Sequence, residues 1–470
     1  MKLSHTLGAT SAVFDDPNLV SSVGLVPALA LAQSVGLADL AGGHLSVPTD
    51  KGANAGLKVA SLVAGMVTGA DSIEDMGVLR HGGMGRVFTT AYAPSTLGSF
   101  LRSFTFGHVR QLDAVASRFV TGLAAVASPV TAGIKELAVL DIDDTVIEVH
   151  GYAKQGAGFG YNQVRGLNAL IATVSTERAA PVIVAQRLRK GSANSARGAQ
   201  RLVRDALKTV RGLTATQVAG RGSGRVLLRA DSAYYGHAVV GAAVKAGAEV
   251  SVTVRLDKKV KAAIADIDPG AWRTIAYPRA VFDEPTGQWV SVAEIAEIGF
   301  TAFTSKKKAD QVTGRLVVRR IPDLNTQPGQ GTLFEQWRHH AFFTTTPVEV
   351  ADTISADKVH RAHAIIEQVH ADLKDSALAH LPSGKFNANA AWLVLAVMAF
   401  NLTRAIGTLG GPDLARATTG TIPRKLINVP ARVATSGRRV KLHLPRAWPW
   451  EHAWTTLFTA VNDPPVAFAA

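Results

Sequence analysis

The sequence predicts an α/β protein with a mainly helical N-terminal region and a β-rich insertion, on three observations. Residues 1–130 carry apolar residues at helical spacing. Residues 131–255 alternate short apolar β-type runs with helical stretches. Residues 256–340 break that alternation with Pro, Gly, Trp and short β-rich runs. At 470 residues, 47% of them hydrophobic, the chain can bury large cores and suits two or three domains.

In the N-terminal region, Ser72-Ile-Glu-Asp75 has the form of a capping box ahead of Met76. Pro94 opens a helix that places Leu97, Phe100, Leu101 and Phe104 at i, i+3, i+4 and i+7. Arg102, Arg110 and Arg118 follow, either as phosphate contacts or as a solvated stripe. His81-Gly-Gly-Met-Gly-Arg86 reads as a turn, because no strand leads into it and no Gly-Lys-Ser/Thr follows. In the α/β region, strands are expected at 137–142, 181–187, 225–230 and 249–255, with helices at 196–208 and 236–246. Gly151 to Gly160 is a Gly-rich connection of hairpin type. The insertion contains Gly314-Arg-Leu-Val-Val-Arg-Arg320 and is basic at Lys306 to Lys308. Residues 341–410 resume the core, with a strand at 339–345, a helix around Glu367 and a buried helix at 388–406. Residues 411–470 form a basic tail, where Arg432, Arg438, Arg439, Lys441 and Arg446 accompany Trp448 and Trp450. That mixture suits nucleic-acid contact or docking of the tail on the core.

The formal net charge is +14, which suits a polyanionic partner such as DNA or RNA. The absence of cysteine excludes disulfides, thiol catalysis and cysteine-ligated zinc. The N-terminus has no signal-peptide apolar region, and the run Ala390–Phe400 is too short to span a bilayer. The expectation is a soluble, cytoplasmic protein with no membrane partner.

Three acidic residues stand in distinctive settings. Asp143 lies in Leu137-Ala-Val-Leu-Asp-Ile-Asp-Asp-Thr145, Asp231 ends Val226-Leu-Leu-Arg-Ala-Asp231, and Glu367 sits inside the helical stretch 360–374. Two carboxylates at strand ends and a third on a helix can converge on divalent cations, and magnesium needs few carboxylates because it keeps its waters. Around Glu367, His360, His363, His370 and Lys374 fall on one helix face. A zinc site at His363, Glu367 and His370 lacks the HExxH spacing.

These motifs resemble the DDE transposases of bacterial insertion sequences, in the branch with a β-insertion before the glutamate. The resemblance spans about 135–405. It rests on Asp143-Asp144-Thr145, on Asp231-Ser-Ala-Tyr-Tyr-Gly236, and on Glu367 with Lys374 in a helix of the form Tyr-x2-Arg-x3-Glu-x6-Lys. His360 stands where that family has Tyr, and His363 where it has Arg. Arg187-Leu-Arg-Lys-Gly-Ser192 with Asn194 resembles the family's Arg-x-Gly-Asn turn and brings Arg189 into consideration.

The resemblance implies an RNase H-like core holding two Mg²⁺ ions, for which Mn²⁺ can substitute, on Asp143, Asp231 and Glu367. It implies cleavage at transposon ends and transfer of the 3′-OH into target DNA. Terminal inverted repeats and target duplex would be the partners, a homodimer would pair two ends, and the protein would be nucleoid-associated. Lys374, His363, His360 and Arg189 become candidate DNA contacts, and Trp289 a candidate to hold a flipped base.

Two rival readings remain. Asp141-Ile-Asp-Asp-Thr145 matches the Asp-x-Asp-x-Thr motif of haloacid-dehalogenase-like phosphatases, with Asp141 as nucleophile and Asp143 as general acid. A catalytically inactive, transposase-derived DNA-binding protein would carry the same motifs.

Overall fold

The computed structural model describes residues 1–216, 224–283, 288–322 and 337–462. Its strands, in chain order, are β1 (Leu19–Val20), β2 (Leu137–Glu148), β3 (Gly158–Phe159), β4 (Arg165–Ser175), β5 (Val182–Lys190), β6 (Arg225–Ala230) and β7 (Glu249–Thr253). They continue with β8 (Arg273–Asp283), β9 (Gln288–Ala302), β10 (Val312–Pro322), β11 (Trp337–Thr344), β12 (Ala431–Ser436) and β13 (Arg439–His443).

β2 is the axis of the fold. Its apolar run is buried on both faces, as a strand in mid-sheet requires. It pairs antiparallel with β4 and parallel with β6, and β6 pairs parallel with β7. β4 also pairs with β5, and β7 with β11, so one mixed sheet runs β3-β4-β2-β6-β7-β11-β10-β9-β8 with β5 beside β4. The expected strands at 181–187, 225–230 and 249–255 are all present within a few residues. β4 was not foreseen. Its run Leu167–Val174 is apolar almost throughout, a pattern with no alternation to mark its type. The β-rich insertion adds its strands to the same sheet, since β11 pairs with β7 at Phe342↔Thr253 and Phe343↔Val252.

Helices cover both sheet faces. Ala199–Thr216 buries Leu202, Val203, Ala206, Leu207, Val210 and Leu213, the i, i+3, i+4 stripe of an amphipathic helix. Phe386–Leu409 is buried all round and packs against β5 and the N-terminal helices Phe106–Val126 and Ala55–Thr68. Among the described residues it is the single helix long and apolar enough to cross a membrane, and its apolar window is wholly buried within the fold. Asn401 sits in it without cost. Its amide accepts from Ile183 N at 2.8 Å and donates to Ile183 O at 2.8 Å, where the β4–β5 register slips at Ala172/Thr173. One continuous core joins the N-terminal helices to the sheet. Ser72 and Asp75 do cap each other, with Ser72 Oγ 2.7 Å from Asp75 Oδ2, but the element they open, Glu74–Arg80, is 3₁₀.

Candidate active site

The parallel register of β2 and β6 sets the site. Asp141 lies beside Arg229, and continuing by two residues brings Asp143 beside Asp231, just past the end of β6. Side chains two apart share a sheet face, so Asp141 and Asp143 point one way and Asp144 the other.

Asp141 is fully buried and committed. Arg229 donates to both its oxygens, Nε to Oδ1 at 2.8 Å and a terminal nitrogen to Oδ2 at 2.7 Å, and His363 Nδ1 lies 2.7 Å from Oδ1. With both oxygens taken, Asp141 has none free to attack a phosphoryl group, which removes the phosphatase reading that made it the nucleophile. Asp144 is equally committed on the opposite face. Tyr234 Oη and Asn168 Nδ2 donate to it, and Arg189 lies 2.9 Å from Oδ2.

Asp143 alone of the three stays partly open to solvent. Burial, then the charges of Asp231 and Asp144, push its carboxyl up to about 7. Asp231 is exposed, caps the 3₁₀ turn Ser232–Tyr234 through Ala233 N at 2.9 Å, and is also raised, first by desolvation. A pair of raised, mutually repelling carboxylates is a place where a cation would relieve the repulsion. Their hard oxygen donors suit Mg²⁺ or Mn²⁺. Among the described residues, no group of three or more His, Asp or Glu side chains is gathered as a ready metal cage.

A broken helix lies over this face. Thr353–Arg361 is α-helical, Ala362–Ala364 tightens to 3₁₀, and Ile365–Lys374 is α-helical again. The break turns His360 and His363 to different tasks. His360 stacks on Phe342 at 4.0 Å, and its ring nitrogens lie 2.9 Å from Ser251 Oγ and 3.0 Å from Thr253 Oγ1. Burial pulls its pKa down to about 3, so the ring is neutral. His363 grips Asp141. One turn beyond Glu367, His370 is buried with Nδ1 3.7 Å from Asp143 Oδ2, and burial followed by the charge of Lys374 lowers its pKa to about 4. Glu367 is exposed on the face between these two histidines, and Lys374, two turns beyond Glu367, is exposed with its pKa lowered by burial.

The remaining expected DNA contacts divide. Arg189 is buried and spends its N–H groups on Asn168 Oδ1 at 2.6 and 2.9 Å, on Asp144, and on the carbonyls of Asn194, Ser195 and Arg197. It ties the β5-to-helix turn to the back of the acidic strand. Gly191 opens that turn, where an added Cβ would fall 2.1 Å from Gly166 O. Trp289 lies in β9, paired with Phe282 on β8, and its side chain is outside the described residues. Arg110 lies 2.6 Å from Asp113 and 2.8 Å from Asp205, so it is an internal tie.

Two contributors were not named in advance as site residues. His370 was legible as part of a cationic stripe, but its burial against Asp143 was not. Tyr161, exposed on the loop between β3 and β4, has its phenol raised by desolvation and then by the charges of Asp143, Asp144 and Asp231. A cavity of about 1020 Å³ lies beside the site and does not hold the acids. It is lined by Arg229, Val359, Ile365, Gln368, Asp372 and Arg404 along the flank of the broken helix.

The structure is a mixed α/β protein with an acidic pair on neighbouring strands, Asp143 within β2 and Asp231 just past β6, beside a helix that bears a third acid. The sequence matches the family described as "Transposase DDE domain group 1" over residues 9–465. The chain belongs to that family, whose members act on DNA. No curated protein matches it.

Proposed function

We propose that the protein is an active DDE transposase that cuts DNA at the ends of a mobile element and joins the freed ends to target DNA. The observation that carries this is the pairing of Asp143, midway along β2, with Asp231, just past the end of β6, beside the helix that bears Glu367. An RNase H-like core is the reading that the antiparallel run β5-β4-β2, continued by parallel β6 and β7, supports best.

In the first step a water oxygen attacks the phosphorus at the element end. The P–O3′ bond breaks, and a 3′-OH and a 5′-phosphate result. In the second, that 3′-oxygen attacks a target phosphodiester and displaces the target's own 3′-OH. Asp143, Asp231 and Glu367 would hold two divalent cations, which supply charge neutralisation at the attacking and leaving oxygens. Asp143 and Asp231 are fixed by adjacent strands, so their spacing is set by the sheet. His363 fixes the helix to β2 through Asp141 and thereby sets the height of Glu367 over the pair. Neutral His370 lines the floor beside Asp143 without competing for cations by its own charge. Lys374, exposed at the helix end, would meet a phosphate near the scissile bond. His360 and Arg189 serve this proposal as internal supports, because their polar groups are already spent.

The test is Mg²⁺-dependent cleavage of a duplex carrying the gene's own flanking inverted repeats, with wild type beside Glu367→Gln. Cuts at the repeat boundary that vanish in the variant are expected. Binding by both proteins with cutting by neither would favour the inactive DNA-binding reading and sink this one.

A further inference from the structure

We infer that the outward face of the β12–β13 hairpin is a docking surface for the backbone of duplex DNA, separate from the acidic site. The inference rests on the transposase reading for its choice of polyanion. Residues 431–446 hold Arg432, Arg438, Arg439, Lys441 and Arg446 and no acidic residue at all.

The strand register sorts these side chains. Arg432 faces His443, Ala434 faces Lys441 and Ser436 faces Arg439, so all six share one face of the ribbon. On that face the cationic side chains of β13 stand opposite small residues of β12, which leaves them free to extend. The other face begins with Val433, buried, opposite half-buried Leu442, and these root the hairpin in the core. Beyond that pair, residues 434–441 are exposed on both faces, so the ribbon projects from the body. β13 is the edge of the small sheet β1-β12-β13.

The base of the ribbon is fixed. Val433 N donates to Asn18 O at 2.8 Å, and β1 pairs with β12 at Leu19↔Arg432. After β13, Trp448 Nε1 donates to Lys425 O at 3.1 Å, and Lys425 Nζ lies 5.1 Å over the Trp450 ring. The tryptophans therefore dock the tail, and the arginines and lysine of the ribbon are left for a partner. Among the described residues, the carboxylate paired with this set is Asp16, 3.5 Å from Arg432 at the root. A two-stranded ribbon is of a size that the major groove admits, and lysine or arginine set against phosphates releases counterions. The competing explanation is a charged edge strand that only prevents strand-to-strand aggregation.

The experiment measures binding of a fluorescent duplex by anisotropy across a KCl series, without divalent cation so that no cleavage intervenes. Wild type is compared with Arg438→Gln/Arg439→Gln/Lys441→Gln and with Arg439→Glu/Lys441→Glu, each checked by thermal melting. The slope of log K against log [KCl] should fall in magnitude by about 3 in the triple variant, roughly one per lost phosphate contact. The glutamate variant keeps a charged edge, so it should stay monodisperse and yet bind more weakly than the glutamine variant. If the triple variant fails to fold, Lys441→Gln alone should lower the slope by about 1. An unchanged slope, or a glutamate variant that binds like wild type, overturns the ribbon's assignment. The catalytic reading fails separately: loss of slope in a protein that never cuts leaves the ribbon standing, whereas cutting with an unchanged slope removes the ribbon alone.

Discussion

His363 Nδ1 lies 2.7 Å from Asp141 Oδ1, on the oxygen that Arg229 Nε also reaches at 2.8 Å. A helix, two parallel strands and a fully buried carboxylate thus meet two residues before Asp143. Whatever Glu367 does above the acidic pair, its position depends on this junction.

Replacing Asp141 should therefore damage the fold before it damages any chemistry. Asp141→Asn strands the Arg229 guanidinium in the interior. Breaking one side of a buried pair costs about 3–5 kcal/mol. Urea unfolding should show a loss of that order. A loss under about 1 kcal/mol would mean that Arg229 finds another partner, its contact to Val359 O included, and that the junction is not what holds the helix.

Asp143→Asn should behave in the opposite way. Burial and the neighbouring acids disfavour its charge, so removing the charge should leave stability unchanged or raised at neutral pH. DNA binding should persist while cleavage falls by at least about 10²-fold, the scale of losing one well-placed electrostatic group. Asp144→Asn should instead destabilise, because it leaves Arg189 facing a weaker acceptor. If the Asp144 variant were stable and inactive while the Asp143 variant still cut, the assignment of the two neighbours would be reversed.

The sequence made much of this legible, for physical reasons. Asp231 follows the apolar run that forms β6, whereas the strand expected at 137–142 continues to Glu148 and leaves Asp143 inside β2 rather than at its end. Glu367 is singled out in the sequence by its helical stripe. What the sequence could not convey was which polar groups the fold consumes. Arg189 and His360 look like DNA contacts in one dimension, yet a buried guanidinium and a buried imidazole must be satisfied internally. Arg189 is satisfied by Asn168 and three carbonyls, His360 by Ser251 and Thr253, partners up to 109 residues away in the chain. The 3₁₀ break at Ala362–Ala364, which separates His360 from the stripe, has no Pro or Gly to announce it. β4 was missed because an unalternating apolar run does not declare its type.

His360 gives a pH dependence with a definite sign. Its folded pKa is lowered to about 3, so between the unfolded value near 6.5 and that folded value the unfolded chain binds the proton and the folded one does not. Stability is complete above about pH 6.5 and falls as the pH drops, by up to about 1.4 kcal/mol per unit from this one ring. His360→Gln should have a lower plateau at pH 7, from the lost stacking on Phe342, but a shallower decline between pH 6 and 4 in thermal melts. Parallel declines in both proteins would show that the ring is not titrating against the fold.

Glu367 and Lys374 should separate catalysis from stability most cleanly, because both are exposed on the helix whose apolar side buries Ile366, Val369 and Leu373. Surface substitutions of this kind shift stability by about 0.5 kcal/mol or less. Glu367→Gln should melt like wild type and bind DNA with the same salt slope while losing cleavage. Lys374→Ala should also melt like wild type, but its salt slope should fall by about 1, the signature of one phosphate contact. Its cleavage should fall with its affinity. The two variants thus predict different pairs of readouts from residues two turns apart on one helix. Loss of the salt slope in Glu367→Gln, or an unchanged slope in Lys374→Ala, would mean that the DNA backbone does not pass over this helix in the direction from Glu367 to Lys374.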